Sequence, residues 1–149
     1  MKKLFVYLLL LLPLAIASCG GDDKDEPSPS PNQGNAQVFQ LSIKDTFILD
    51  GVQFNWNSNA SFGNSAITSS ANLKFYSTGK SNINEVKIPD VDIRLWKDWA
   101  IEAALLNGGT VMAVEKSSGN YNYYCIFCKR ITDAGSLILG NELTIYRMK

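Results

Sequence analysis

Two cysteines three positions apart, Cys125 and Cys128 in the stretch YYCIFCKR, have the most familiar chemical spacing in this 149-residue chain. A Cys-x-x-Cys pair serves dithiol redox chemistry when a helix starting at the first thiol lowers its pKa. It serves a metal when two further sulfur or nitrogen ligands join it. The surrounding sequence offers neither context, because Ile126 and Phe127 between the thiols are β-formers. In an extended strand residues three apart point to opposite faces, so Cys125 sides with Tyr123 and Phe127 while Cys128 sides with Tyr124 and Ile126. The expectation is two buried thiols in a central strand, with redox function as the alternative in an oxidising compartment. The chain has no histidine. That removes Ser-His-Asp and Cys-His nucleophile systems, histidine general bases and histidine metal ligands.

The remaining candidates are carboxylates and rings. Asp90-Val91-Asp92 puts two carboxylates on one side of a strand, where calcium binding or acid/base work is conceivable. A solvated strand edge is the plainer reading. Tyr121, Tyr123 and Tyr124 beside Asn120 and Asn122 offer a contact surface, or else belong to the core. The glycines form no phosphate-cradling pattern, and no basic patch calls for nucleic acid. Further along, Val91, Ile93 and Leu95 alternate with Asp92, Arg94 and Trp96. If the first three face the core, the second three share the outer face, giving a stacking ring beside a carboxylate and a guanidinium fork. That is a contact patch for a sugar or a peptide. The alternative is a segment over Trp99 to Leu106 that folds across Trp96 and buries it. No catalytic residue, metal or cofactor is assigned.

These side chains need a frame, and the alternation of apolar and polar residues supplies one. Phe39, Leu41, Ile43, Phe47 and Leu49 alternate with polar residues in a half-buried strand, broken only at Asp45. Asp50-Gly51 suits a two-residue type I′ turn, which sets Leu49 opposite Val52 and Phe47 opposite Phe54, with Trp56 on the same face. Residues 57–70, rich in Asn, Ser and Gly, read as a loop or ragged edge. Strands are expected over 72–77, 83–88 and 91–96, followed by a short helix N-capped by Asp98 over 99–106 and closed by Gly108 and Gly109. Two central strands, 110–115 and 121–131, flank KSSGN. Strands over 136–139 and 142–148 flank Gly140-Asn141 as a turn. The fold class is all-β, an antiparallel sandwich or flattened barrel of seven or eight strands with one short helix.

The N-terminus carries an address. MKKLFVYLLLLLPLAIASCGG has two lysines and then an apolar run from Leu4 to Ala17, short for a spanning helix and suited to a secretion signal. Ile16, Ala17, Ser18 and Cys19 resemble the lipobox of bacterial lipoproteins. The resemblance implies cleavage before Cys19 and lipidation of its sulfur, and two or more acyl chains anchor stably where one does not. Residues 20–37 carry Asp22, Asp23, Asp25 and Glu26 and then a Ser-Pro run, a disordered tether reaching about 50 Å in polyproline extension. Acidic residues directly after the cysteine resemble the surface-export signal of Bacteroidetes lipoproteins. The resemblance implies the outer face of the outer membrane, with the periplasmic face as the alternative.

The chain therefore divides into a signal peptide, residues 1–18, a lipidated cysteine and tether, 19–37, and one globular domain, 38–149. SGNYNYYCIF and GSLILGNELTIYR also resemble segments of small uncharacterised Bacteroidetes lipoprotein domains, which implies a β-rich fold and no residue roles. A non-enzymatic binding or accessory module is the expected function. The partners are the membrane, through the N-terminal lipid, and a protein or glycan ligand. The alternatives are a glycan binder with an exposed Trp patch, a structural subunit of a cell-envelope assembly, or an enzyme using paired carboxylates.

Overall fold

The computed structural model describes residues 33–57 and 64–149. The expected signal peptide, Cys19 and most of the expected tether lie outside them. Eight strands form two antiparallel sheets. In chain order they are β1 (Gln33–Gln40), β2 (Thr46–Leu49), β3 (Val52–Trp56), β4 (Ile67–Ser69), β5 (Leu73–Ser77), β6 (Thr110–Ser117), β7 (Asn120–Asp133) and β8 (Ser136–Met148). One sheet runs β1-β8-β7-β6-β5 and the other β2-β3-β4. Helix α1, Glu102–Leu106, adds a lid beside them. The architecture is a sandwich of five strands against three, with the longest strand, β7, in the middle of the larger sheet.

The β2–β3 hairpin forms as its sequence dictates. Asp50 and Gly51 take positive φ values of 49° and 82°, and Leu49 pairs with Val52 and Phe47 with Phe54. Phe47, Leu49, Phe54, Trp56 and Ile67 then bury one face of the small sheet against Phe75, Met112, Tyr124, Ile126, Leu143 and Ile145 of the large one. Leu105 of α1 closes the same core. Burying such side chains contributes about 1.5 to 3 kcal/mol each, which makes this layer the main source of stability.

Several boundaries differ from the sequence expectation, each for a local reason. β1 begins at Gln33, inside the expected tether, because backbone pairing with β8 from Gln33 opposite Met148 recruits a polar segment with no apolar signal of its own. The long first strand is two strands: at Ser42–Asp45 the chain crosses between sheets, with Lys44 at φ 72° and the Asp45 carboxylate accepting from Ser42 N–H at 2.7 Å. Ile43 is consequently exposed rather than inward-facing. Within the stretch read as loop, Ile67–Ser69 forms β4 on the edge of β3. Ile83–Glu85 and Ile93–Leu95 are 3₁₀ turns, not strands; Asn82 and Asp92 cap them by accepting from the N–H two residues on. Asp98 caps nothing and pairs instead with Lys74, while α1 starts at Glu102 with Ile101 at its N-cap position. Finally, Gly140-Asn141 is not a turn. β7 and β8 turn at Ala134-Gly135, whose φ values of 47° and 80° are those of a type I′ hairpin. Gly140-Asn141 sits within β8, beside the register irregularity between Cys128 and Arg130 of β7.

The second face of the large sheet is covered differently. Among the described residues no sheet packs on it. The connection from β5 to α1 passes over it, laying Val86 and Trp96 on Val111, Ala113, Cys125 and Met148. Lys97 closes this connection by exchanging two backbone hydrogen bonds with Phe75 on the β5 edge, at 2.7 and 3.0 Å.

Candidate functional site

β7 alternates its side chains between the two faces, and this decides the fate of every chemical residue upon it. Tyr124, Ile126 and Cys128 point into the sandwich, while Tyr121, Tyr123, Cys125 and Phe127 point to the second face. The two thiols are free, buried and on opposite sides of the sheet, as the strand geometry requires. Burial pushes both up to about 12 from 9.0; for Cys128 the charges of Glu102 and Glu142 add to it. Neither is a thiolate near neutral pH, so neither is the activated nucleophile that thiol chemistry needs. Among the described residues no group of three or more His, Cys, Asp or Glu is placed to hold a metal ion.

The patch expected from Asp92, Arg94 and Trp96 does not assemble. It required a strand, and the 3₁₀ turn instead sends Trp96 inward while Asp92 and Arg94 pair with each other outside. Trp96 is 5% exposed, its ring packed between Tyr76 and Tyr123 at centroid distances of 5.5 and 6.0 Å. Its indole N–H donates to the Val91 carbonyl at 3.1 Å. Leu95, expected inside, is 74% exposed. The Asp92 carboxylate is occupied by Arg94: it accepts from the Arg94 backbone N–H at 2.9 Å and from both Nε and Nη2 of the guanidinium. That hydrogen bonding holds Asp92 down at about 2. Both oxygens of Asp92 are engaged by Arg94, whose guanidinium balances the carboxylate charge. The tryptophan that does reach solvent is Trp99, 39% exposed, with the Lys97 ammonium 5.9 Å from its ring centroid.

What the structure does bring together is an aromatic face. Tyr76, Tyr121, Tyr123, Phe127 and Tyr146 are half-buried around Trp96 on the second side of the large sheet. Beside the covering segment an open groove of about 270 Å³ remains, lined by Ser81, Asn82, Ile83, Phe127 and Tyr146. Phe127 and Tyr146 meet edge to face across it, with centroids 6.2 Å apart and planes at 89°. Asn82 spends its side-chain oxygen on the Asn84 N–H at 2.9 Å, which leaves its amide N–H groups as donors for a ligand. No charged side chain lines the groove. Rings, an amide and a hydroxyl in a neutral setting suit an uncharged ligand that stacks and hydrogen-bonds at once.

Two glycines hold this groove in shape. Gly109 passes under Phe127, where a Cβ would lie 2.8 Å from the ring. Gly108 adopts φ 128°, and a Cβ there would come 2.5 Å from the Lys80 carbonyl oxygen. That closeness lets Gly109 N–H donate to the Lys80 carbonyl at 2.7 Å and Thr78 donate back to Gly109, which anchors the start of the covering segment. Sequence reasoning placed Phe127 on the correct face but did not find Tyr146 or Asn82. They belong to other elements: Tyr146 is brought near by its pairing with Cys125 across β7 and β8, and Asn82 by the covering segment.

A second polar cluster joins the two sheets. The Tyr124 hydroxyl donates to Asp50 Oδ2 at 2.6 Å, and Arg147 lies 3.1 Å from the same oxygen. Burial, reinforced by the Asp50 carboxylate, pushes the Tyr124 hydroxyl up to about 12. The cluster ties the β2–β3 turn to β7 and β8. No protein-family model, curated protein or solved structure matches the chain.

Proposed function

We infer that this chain is a lipid-anchored, non-enzymatic binding or accessory module displayed at the outer membrane surface. The observation that carries the binding role is the groove beside the aromatic face, where Phe127 and Tyr146 offer ring surface next to Asn82 and Ser81. A site without charge or an activated nucleophile suits recognition better than bond chemistry. The anchor rests on Cys19 and its lipobox, and the outward placement on Asp22, Asp23, Asp25 and Glu26. In the glycan-binding version of this reading the stacking surface moves from Trp96, which is buried, to Phe127 and Tyr146.

The test installs a photo-crosslinking residue at Ser81, and separately at the exposed Lys116 near the end of β6, in the full chain on intact cells. A protein or glycan adduct at Ser81 and none at Lys116 is the expected result. Equal labelling at both sites, or none at Ser81, overturns the groove. For the anchor, Cys19→Ala should lose incorporation of labelled palmitate; retained label refutes it.

A further inference from the structure

The covering segment shields the second face of the large sheet unevenly. Val86 and Trp96 lie over Val111, Ala113 and Cys125, on its β6 and β7 side. Toward the β1 edge the same face stays open. Residues paired across neighbouring strands share a face, so the rows there are Val38, Thr144 and Phe127, and then Ala36, Tyr146 and Cys125. Val38 is 59% exposed, Ala36 is exposed, and Phe127 and Tyr146 are half-buried. The neutral groove of Phe127 and Tyr146 thus opens toward β1.

What precedes β1 has its own chemistry. EPSPSPN, residues 26–32, alternates proline with serine and leads directly into Gln33. Proline has no N–H and a φ fixed near −65°, so such a stretch favours the polyproline helix. Its carbonyls call for donors and its rings for an aromatic surface. The groove offers both. The Asn82 side chain accepts from Asn84 N–H with its oxygen and holds out its amide donors, Ser81 adds a hydroxyl, and Phe127 and Tyr146 supply rings. An ordinary extended peptide also brings N–H groups, and neither a carboxylate nor an unspent amide oxygen lines the groove to receive them.

Distance agrees with chemistry. Tyr146 lies one strand across and three residues along from Gln33, about 11 Å away. Phe127 lies two strands across and five residues along, about 19 Å away. At about 3.1 Å per residue, a polyproline stretch running back from Gln33 covers about 12 Å by Pro29 and about 19 Å by Pro27. Charge agrees as well. The acidic run starts at Glu26, just past that reach, so the neutral part of the segment is the part that meets the neutral groove.

We propose that residues 27–31 of the same chain fold back over the second face and occupy this groove, with Pro29 against Tyr146 and Pro27 against Phe127. The inference rests on the groove being the binding site and adds its regulation: an external ligand must displace the chain's own segment. Covalent connection gives that segment an effective concentration in the millimolar range. A site left free about one-tenth of the time binds an external ligand about tenfold more weakly.

The test places a small diazirine residue at Ser28 of the full-length chain, irradiates intact cells and maps the residues labelled within the monomer. Lys116 is the control, because it is exposed and lies about 17 Å from Gln33, so that reach alone serves it equally. Label should concentrate on Phe127, Tyr146 and residues 81–83, and should spread evenly once Pro27, Pro29 and Pro31 are all replaced by alanine. Equal labelling of Lys116 and the groove, or labelling unchanged by the three alanines, overturns the proposal. Adducts only at the mass of two chains also overturn it and assign the groove to a neighbouring copy's segment. The three alanines should in addition raise the yield of external adducts from a photo-crosslinking residue at Ser81 severalfold, and an unchanged yield overturns the competition. No external adduct at Ser81 in either chain refutes the binding reading alone, since the Ser28 map is read within one chain.

Discussion

Replacing Tyr124 with phenylalanine removes one oxygen from the joint between the two sheets and leaves the ring in place. The ring is 3% exposed, so its packing among the core residues of the sandwich is unchanged. What is lost is a 2.6 Å hydrogen bond to the Asp50 carboxylate, together with a longer one of 3.4 Å that the hydroxyl accepts from the Asn122 amide. A bond to a charged acceptor contributes about 1.5 to 3 kcal/mol. Asp50 keeps Arg147 at 3.1 Å and is partly solvated, which limits the penalty of orphaning it. The expected loss is therefore at the lower end, about 1.5 to 2 kcal/mol at neutral pH, or roughly 6 °C in melting temperature for a domain of this size. The pH dependence is a sharper check. The hydroxyl titrates at about 12 in the folded chain against 10.0 when unperturbed. A folded-state value raised above the unfolded one contributes stability that is complete below pH 10 and is lost as pH rises through 12. The gap between wild type and Tyr124→Phe in urea unfolding should thus hold from pH 7 to 9 and close between pH 10 and 12. Comparing the two proteins cancels the thiols, whose folded values of about 12 make both lose stability in the same range. A gap under about 0.5 kcal/mol at pH 7, or one that stays constant to pH 12, would refute the latch.

Trp96→Ala should cost about 3 to 5 kcal/mol by urea unfolding, because its ring is packed between Tyr76 and Tyr123, and Trp96→Phe far less; equal stability of the alanine variant would return the ring to the surface. Cys125→Ser and Cys128→Ser should each cost about 1 to 3 kcal/mol through burial of a hydroxyl. Both native thiols should resist Ellman's reagent until the chain unfolds, and a Cys125–Cys128 disulfide in non-reduced peptides would contradict the strand. Asp92 should titrate at about 2 by carboxyl-carbon NMR and move back toward 3.8 in Arg94→Ala. Because its folded value is depressed, any stability from this pair is present above pH 4 and is lost as pH falls through 2.

Where two independent rules coincided, the sequence was readable. Phe47, Leu49, Phe54 and Trp56 alternate correctly on both sides of Asp50-Gly51, and turn chemistry with hydrophobic period left one register. The opposite orientation of Cys125 and Cys128 followed from strand parity alone. The errors arose where one rule stood by itself. Val91, Ile93 and Leu95 mimic a period of two, yet the carboxylate of Asp92 accepts from the Arg94 N–H and turns the chain, so Trp96 is buried away from the paired Asp92 and Arg94. Gly140-Asn141 carries turn residues but sits in a strand, because Ala134-Gly135 already makes the hairpin with an alanine at φ 47°, a position where sequence rules look for Asn or Asp. The first half of β1, residues 33–37, was invisible because its polar residues are ordered by backbone pairing with β8, which leaves no mark on composition, whereas residues 38–40 belonged to the expected strand. The groove was illegible for a different reason. Its residues come from the covering segment, β7 and β8, and their approach depends on sheet order that no local pattern encodes.

The first strand of the domain hydrogen-bonds only to the last one on its inner side, with Gln40 opposite Glu142 and Ala36 opposite Tyr146. During synthesis β1 emerges more than a hundred residues before its partner, and the central strand β7 likewise waits for β8 on one side. The larger sheet therefore cannot close until the final dozen residues are present. Contacts so distant along the chain also form slowly, since the loop must be closed before the pairing rewards it. Until β8 is made, β1 has no partner in the larger sheet and β7 has one open side, so a chain shortened within β8 should lose the pairing of its first strand together with that of its last.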